Sequence, residues 1–279
     1  MLDRAILKSE VKGHWEREAC GARYGEDLNG KSRFDQIATA RYALEPYISS
    51  FANFQSASGK TVLEIGVGAG TDFQNWCNYA THATGVDLTD TAIATTRERL
   101  SVNAIPAASY TLRRADAEQL PFADNSFDLV YSWGVLHHTP DTPRAFREAF
   151  RVLKPGGTIK AMIYHVPSWT GFLLYLQHAL ARGNFKATMK DVIFDHLESP
   201  GTKAYTTSEA KSFLSEIGFS SLKLQTKLGP GDLLAIKPSE KYQSNIYKII
   251  WRVYPRFLVR LLGERFGLYL LITATKPVL

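Results

Sequence analysis

Three acids in this chain stand where short apolar runs give way to loops: Glu64 in TVLEIGVGAG, Asp87 at the close of ATGVD, and Asp116 in ADAE. Gly66, Gly68 and Gly70 follow the first run directly, and a segment with helical spacing follows them. Glycines there let the chain turn tightly and let a ligand approach bare backbone, as in the first βα turn of nucleotide-binding sheets. The spacing is G-x-G-x-G, not the G-x-G-x-x-G of dinucleotide sites. Glu64, two residues before the first glycine, would repel a pyrophosphate but suits an ammonium or sulfonium group. Asp87 is placed to accept hydrogen bonds from a ribose diol, and Asp116 falls where a purine would lie.

A second group of residues could move a proton. His137 and His138, in GVLHHTPD, follow the fourth apolar run, and a histidine titrates near neutrality. Tyr164 and His165 close the fifth run. His178, Asp195, His196 and Glu198 lie in the segment after it and are candidates for substrate selection. Adjacent side chains such as His137 and His138 should diverge, so no metal site is expected.

These residues need a scaffold that brings strand ends together. The apolar, β-branched runs are 61–65, 83–87, 110–113, 127–132, 158–164, 222–226 and 268–275. Helical spacing lies between them at 71–79, 91–100 and 143–153, the last ending in Lys154-Pro155-Gly156-Gly157. Such alternation predicts an α/β fold: a Rossmann-like, doubly wound, seven-stranded sheet, mostly parallel with the last strand antiparallel, plus helical cap insertions. Thr206 and Glu209 form a capping-box pattern that opens a further helix, and Gly218 closes it. The expected organisation is a lid or helical segment at 1–50, a cofactor-binding core at 51–167, a helical cap at 168–205, and the rest of the core with inserted basic helices at 206–279.

Composition narrows the partners. Of 279 residues, 33 are Lys or Arg and 27 Asp or Glu, a net charge of +6 with no clustered run, so no nucleic-acid partner is expected. The two cysteines, Cys20 and Cys77, are far apart and fit a reducing compartment. The first residues carry no apolar targeting segment, so a cytoplasmic location is expected. Residues 241–265 mix Lys and Arg with Ile, Trp, Phe and Leu; such a helix can touch a membrane surface, although packing its apolar face on the sheet is the expectation. Nothing in the sequence speaks to oligomeric state.

The stretches VLEIGVGAG, ATGVDLT, ADAEQLPF, SFDLVYSWGVLHHTPD and LKPGGTI together resemble the class I S-adenosylmethionine-dependent methyltransferases, in the branch of ubiquinone/menaquinone-type and sugar methyltransferases. The resemblance covers residues 60–165 well and the part after 206 more loosely. It implies S-adenosylmethionine as cofactor, with S-adenosylhomocysteine as product. It implies that Gly66, Gly68 and Gly70 pack against the methionine part with Glu64 near its amino group, and that Asp87 holds the ribose. Leu88 would then pack on the adenine, Asp116 and Ala117 would bond it, and Ser132 and Trp133 would floor the sulfonium. A lid would come from the N-terminal segment, with Tyr24 near the methionine group. The acceptor would be a small molecule, in the first place a hydroxyl with His138, His137 or Tyr164 assisting. Nitrogen, carbon, sulfur, lipid-linked and quinone-like acceptors stay open, as do a nicotinamide-dependent oxidoreductase and a catalytically silent binding protein.

Overall fold

A computed structural model describes residues 4–17, 21–235 and 254–278. Three helices, α1 (Arg4–Arg17), α2 (Gly30–Leu44) and α3 (Ile48–Ala52), precede the sheet. The alternating core follows: β1 (Thr61–Ile65), α4 (Thr71–Tyr79), β2 (His82–Asp87), α5 (Asp90–Val102), β3 (Tyr110–Arg114), β4 (Phe127–Trp133), α6 (Thr142–Val152) and β5 (Leu153–His165). After it come α7 (Trp169–His178), α8 (Met189–His196), β6 (Ala204–Tyr205), α9 (Thr207–Ile217), β7 (Ser220–Lys227), α10 (Arg256–Leu261) and β8 (Tyr269–Thr275).

The sheet order is β3-β2-β1-β4-β5-β8-β7, parallel from β3 to β5, with β8 antiparallel to both its neighbours. Those seven strands are the ones the apolar runs predict. The eighth, β6, is a two-residue strand that pairs with the tip of β5, Tyr164 opposite Ala204. It is too short to leave an apolar run in the sequence.

Both faces of the central strands are covered, so β1, β2 and β4 are buried nearly throughout, whereas the edge strand β7 alternates. Val62 faces one layer with Phe73, Trp76 and Tyr131, while Leu63 and Ile65 face the other with Val130, Phe146 and Leu153. Caps fix where the helices begin. Thr89 accepts the backbone N–H of Ala92 to start α5, and Asp141 accepts that of Arg144 to start α6. The Thr206–Glu209 capping box opens α9, and Gly218, in the left-handed region, ends it.

Strand order reverses between β1 and β4, which opens a crevice at the carboxyl ends of the strands. The segments inserted after β5 and after β7 meet beside it at Asp232. This buried carboxylate accepts from the Thr170 N–H and hydroxyl, from Gly229 N–H and from Leu268 N–H, at 2.7–2.9 Å. The packing expected for 241–265 is not what α10 adopts. Val259 is buried, whereas Phe257, Leu258 and Leu261 of this six-residue helix, and Leu262 after it, are exposed. Residues 241–253 lie outside the described residues, as does Cys20. No helix among the described residues is long and apolar enough to cross a membrane.

Candidate active site

The crevice holds a cavity of about 530 Å3. It runs from the glycine loop, past the ends of β2 and β4, to an aromatic compartment at the end of β5. Two features of the loop require glycine. Gly66 has φ +85° and a Cβ there would overlap the side chain of Val135; Gly70 has φ +74° and faces Thr96 at 2.9 Å. The bare backbone of Gly66 and Gly68 lines the cavity, which Gly70 does not reach, and Gly68 donates its N–H to Asp87 Oδ2 at 3.2 Å.

The three strand-end acids all line this cavity. Glu64 is nearly fully buried, and its Oε2 has no hydrogen-bond partner. Burial, then the neighbouring charge of Asp72, pushes its carboxyl well above the ordinary carboxylate value, against the pull of Arg41. A buried acceptor of this kind fits a positively charged donor. Asp87 also titrates above its ordinary value through burial, although Thr89 and Gly68 donate to it. Asp116 Oδ2 accepts from Lys8 Nζ at 2.6 Å, and the same ammonium reaches Glu118 at 2.8 Å. Thus α1 roofs the end of the cavity at Asp116. Glu16, on the same helix, accepts the backbone N–H of Thr91 at the start of α5.

Leu88, Ala117, Trp133 and Tyr24 line the cavity as well. Tyr24 packs beside Phe34, Ile37 and Ala69, so it stands next to the glycine loop. Ser132 does not reach the cavity: its hydroxyl donates to Ile65 O at 2.9 Å and ties β4 to β1. Its position on a fully buried strand turns that side chain inward.

The histidines divide. His137 is fully buried and absent from the cavity wall, with neither ring nitrogen hydrogen-bonded. Burial, with the neighbouring His138 and Lys203, holds it well below the usual histidine value, so it is a neutral ring stacked on Tyr164 at 4.0 Å. His165 is likewise structural, with Nδ1 3.0 Å from Gly267 O. His138 lines the cavity. Its Nδ1 lies 2.8 Å from Ser199 Oγ and 3.1 Å from Thr202 Oγ1, and its Nε2 lies 3.4 Å from Glu198 Oε2. Of the candidates in the inserted segment, Glu198 alone reaches the cavity; His178 and His196 stack on each other at 3.9 Å and Asp195 is exposed. Burial raises the Glu198 carboxyl, but the neighbouring His138, then the Tyr164 hydroxyl, bring it below the ordinary glutamate value.

The two adjacent histidines do not diverge as their spacing predicts. Their ring centroids are 4.2 Å apart, and donor atoms of His137, His138 and Glu198 lie within 4.8 Å of one another. The short helical turn at Leu136–His138 stacks the rings instead of splaying them.

A buried network goes unannounced in the sequence. Arg41, on α2, donates to Asp72 from Nε and Nη2 at 3.2 and 2.6 Å, and Tyr42 and Tyr131 hydroxyls donate to the same carboxylate. Arg41 also sits 3.6 Å from Glu45, which accepts from Trp133 Nε1 at 3.2 Å. The i,i+4 pair Arg41/Glu45 was the available signal, but such pairs usually serve exposed helix faces.

Fold and site together define a doubly wound domain with a nucleoside-sized cleft at its switch point. Residues 63–161 match the family model described as a methyltransferase domain. The chain is 35% identical over 118 residues to phosphoethanolamine N-methyltransferase 2 of Caenorhabditis elegans, covering 42% of this chain and 26% of that protein. It is 36% identical over 110 residues to the arsenite methyltransferase of Halobacterium salinarum, covering 37% and 27%. The chain thus spans about a quarter of the length of these curated relatives. Among solved structures, phosphoethanolamine N-methyltransferase 2 of Haemonchus contortus, in complex with phosphomonomethylethanolamine and S-adenosylhomocysteine, superposes with a TM-score of 0.60 at 18% identity, over 96% of this chain and 60% of that one. Residues 63–161 thus resemble a methyltransferase domain, on a fold shared with the matched structure.

Proposed function

We propose that the chain transfers the methyl group of S-adenosylmethionine to a small-molecule acceptor. The observation that carries this reading is the orphaned, buried Glu64 carboxylate beside the glycine loop, at one end of a cavity whose other end holds polar groups suited to an acceptor. Glu64 would meet the amino group of the methionine part, and Asp87 would accept from the ribose. Asp116 and Ala117 would flank the adenine once Lys8 shares its carboxylate. The matched solved structure with S-adenosylhomocysteine supports this choice of cofactor.

The methyl group is already activated in such a cofactor, so the protein's work is alignment, exclusion of water and placement of a proton acceptor. The roof from α1 and the cap at 168–205 serve the first two tasks. The division into lid, core, cap and C-terminal core is a functional one in the same sense, and a cytoplasmic location is part of the reading. The relatives differ in acceptor, one named for an amine and one for arsenite. The Glu198 carboxylate at the aromatic end of the cavity favours a positively charged acceptor, an amine.

Two measurements test the proposal. Titration calorimetry should give S-adenosylhomocysteine binding, and methyl-labelled cofactor with a metabolite extract should give a labelled small molecule. Binding of NAD without S-adenosylhomocysteine would overturn it in favour of an oxidoreductase, and cofactor binding without any labelled product would favour a silent binding protein.

A further inference from the structure

The acceptor end of the cavity has an electrostatic character of its own. Five aromatic rings form a continuous wall: Trp15 lies 5.4 Å from His138, His138 6.1 Å from Tyr164, Tyr164 5.9 Å from Tyr269, and Tyr269 6.1 Å from Trp133. All five line the cavity. Two carboxylates flank this wall, Glu198 against His138 and Tyr164, and Glu45 against Trp133 and Tyr269. Glu45 is shared with Arg41. Glu198 pairs with His138, also feels the charge of His14, and lines the cavity with a side chain that is 40% accessible.

The Nδ1 side of His138 faces hydroxyls: Thr202 donates its hydroxyl hydrogen to Ser199 O at 2.7 Å, and the Ser199 hydroxyl lies 2.8 Å from Nδ1. On the other side Nε2 lies 3.4 Å from Glu198 Oε2, an ion-pair distance with no hydrogen bond between them. An ionised carboxylate accepts hydrogen bonds on both oxygens, so proton-accepting capacity at the cavity surface is on that carboxylate. The chain fixes that carboxylate firmly. Glu198 adopts φ +57°, β6 pins the loop to β5 at Tyr164, and Lys203 donates its N–H to His137 O and its ammonium to Thr139 O.

We infer that Glu198 and the ring wall of Trp15, Tyr164, Tyr269 and Trp133 form a cation subsite for an amine acceptor, with Glu198 as the group that holds the ammonium and takes its proton. Aromatic faces and a carboxylate together attract a cation and offer little to a neutral alcohol. This rests on the methyltransferase reading above. In the transfer step Glu198 takes one N–H proton of the ammonium, the freed pair forms the N–C bond to the methyl group, and the pair of the broken S–C bond stays on sulfur. Lys12, Arg17 and Arg23 also line the cavity, but all come from α1 and the turn after it, not from the wall.

The subsite is tested without knowing the natural acceptor. Protein saturated with S-adenosylhomocysteine is titrated with choline and with its uncharged isostere 3,3-dimethyl-1-butanol, read by tryptophan fluorescence, since Trp15 and Trp133 face the cavity. Choline should bind, with the alcohol weaker by about tenfold or more. Glu198→Gln should lose about tenfold in choline affinity while S-adenosylhomocysteine binding, measured on the same sample, stays within twofold; that second readout also reports the fold. Equal binding of the two probes, no choline binding to cofactor-loaded protein, or an unaffected Glu198→Gln variant would overturn the subsite. Failure of S-adenosylhomocysteine itself to bind would instead overturn the methyltransferase reading.

Discussion

Gly66→Ala separates two costs that the glycine loop avoids. The first is conformational: a Cβ at φ +85° in the left-handed region costs roughly 1–2 kcal/mol. The second is steric: the new methyl overlaps Val135, and overpacking a tight site costs about 1–3 kcal/mol. Together the substitution should lower unfolding free energy by about 2–5 kcal/mol, read from the midpoint of a urea titration at unchanged slope. Val135 also lines the cavity, so relieving the overlap moves its side chain toward the ligand and should weaken S-adenosylhomocysteine binding by about tenfold or more. The double variant Gly66→Ala/Val135→Ala removes the overlap and keeps the backbone strain. It should recover part of the stability lost relative to Val135→Ala alone, and leave a residue of about 1–2 kcal/mol. A single variant within 0.5 kcal/mol of wild type, on the order of measurement scatter, would show that the loop does not depend on the absence of a side chain at Gly66.

Glu64→Gln should have opposite effects on stability and binding. The folded-state pKa is raised, so between the unfolded glutamate value and the folded one the native state holds the extra proton, and unligated wild type loses stability as pH rises through that window. The glutamine variant, with no such titration, should gain on wild type from acidic to neutral pH in calorimetric scans, yet bind S-adenosylmethionine about 10- to 100-fold more weakly; a flat difference across pH would refute this. Arg41→Met strips the cation from Asp72 and Glu45 and should cost about 3 kcal/mol or more in chemical denaturation, with Arg41→Lys unable to restore the two-pronged contact. Lys8→Met opens the latch on Asp116 and Glu118, so stopped-flow release of S-adenosylhomocysteine should quicken several-fold and lose much of its salt dependence, whereas an unchanged rate would mean that α1 does not guard the cleft.

What the sequence reveals about this protein follows from how local each signal is. The glycine loop, the acids at the ends of β1, β2 and β3, and the capping box of α9 are each encoded within a few residues, and each stands where those residues predict. The eighth strand is only two residues long and depends on β5 for its existence. His137 and His138 look equivalent in sequence, yet a single turn buries one ring and shows the other to the cavity. Glu198 is 60 residues from His138 and meets it only because the cap folds back onto β5, so no spacing rule could join them. The same holds for Arg41 and Asp72, whose contact depends on how α2 lies across α4.

Asp232 has a consequence for anyone redesigning this protein. Because one carboxylate knots the start of α7, the turn after β7 and the approach to β8, the described parts of the two inserted stretches are tied to each other. A chimera that borrows only one of them from a relative would sever donors from a buried charge and leave the graft without its fastening. Exchange of acceptor preference on this scaffold therefore calls for transplanting both stretches together with that aspartate, while the glycine-loop half of the sheet stays untouched.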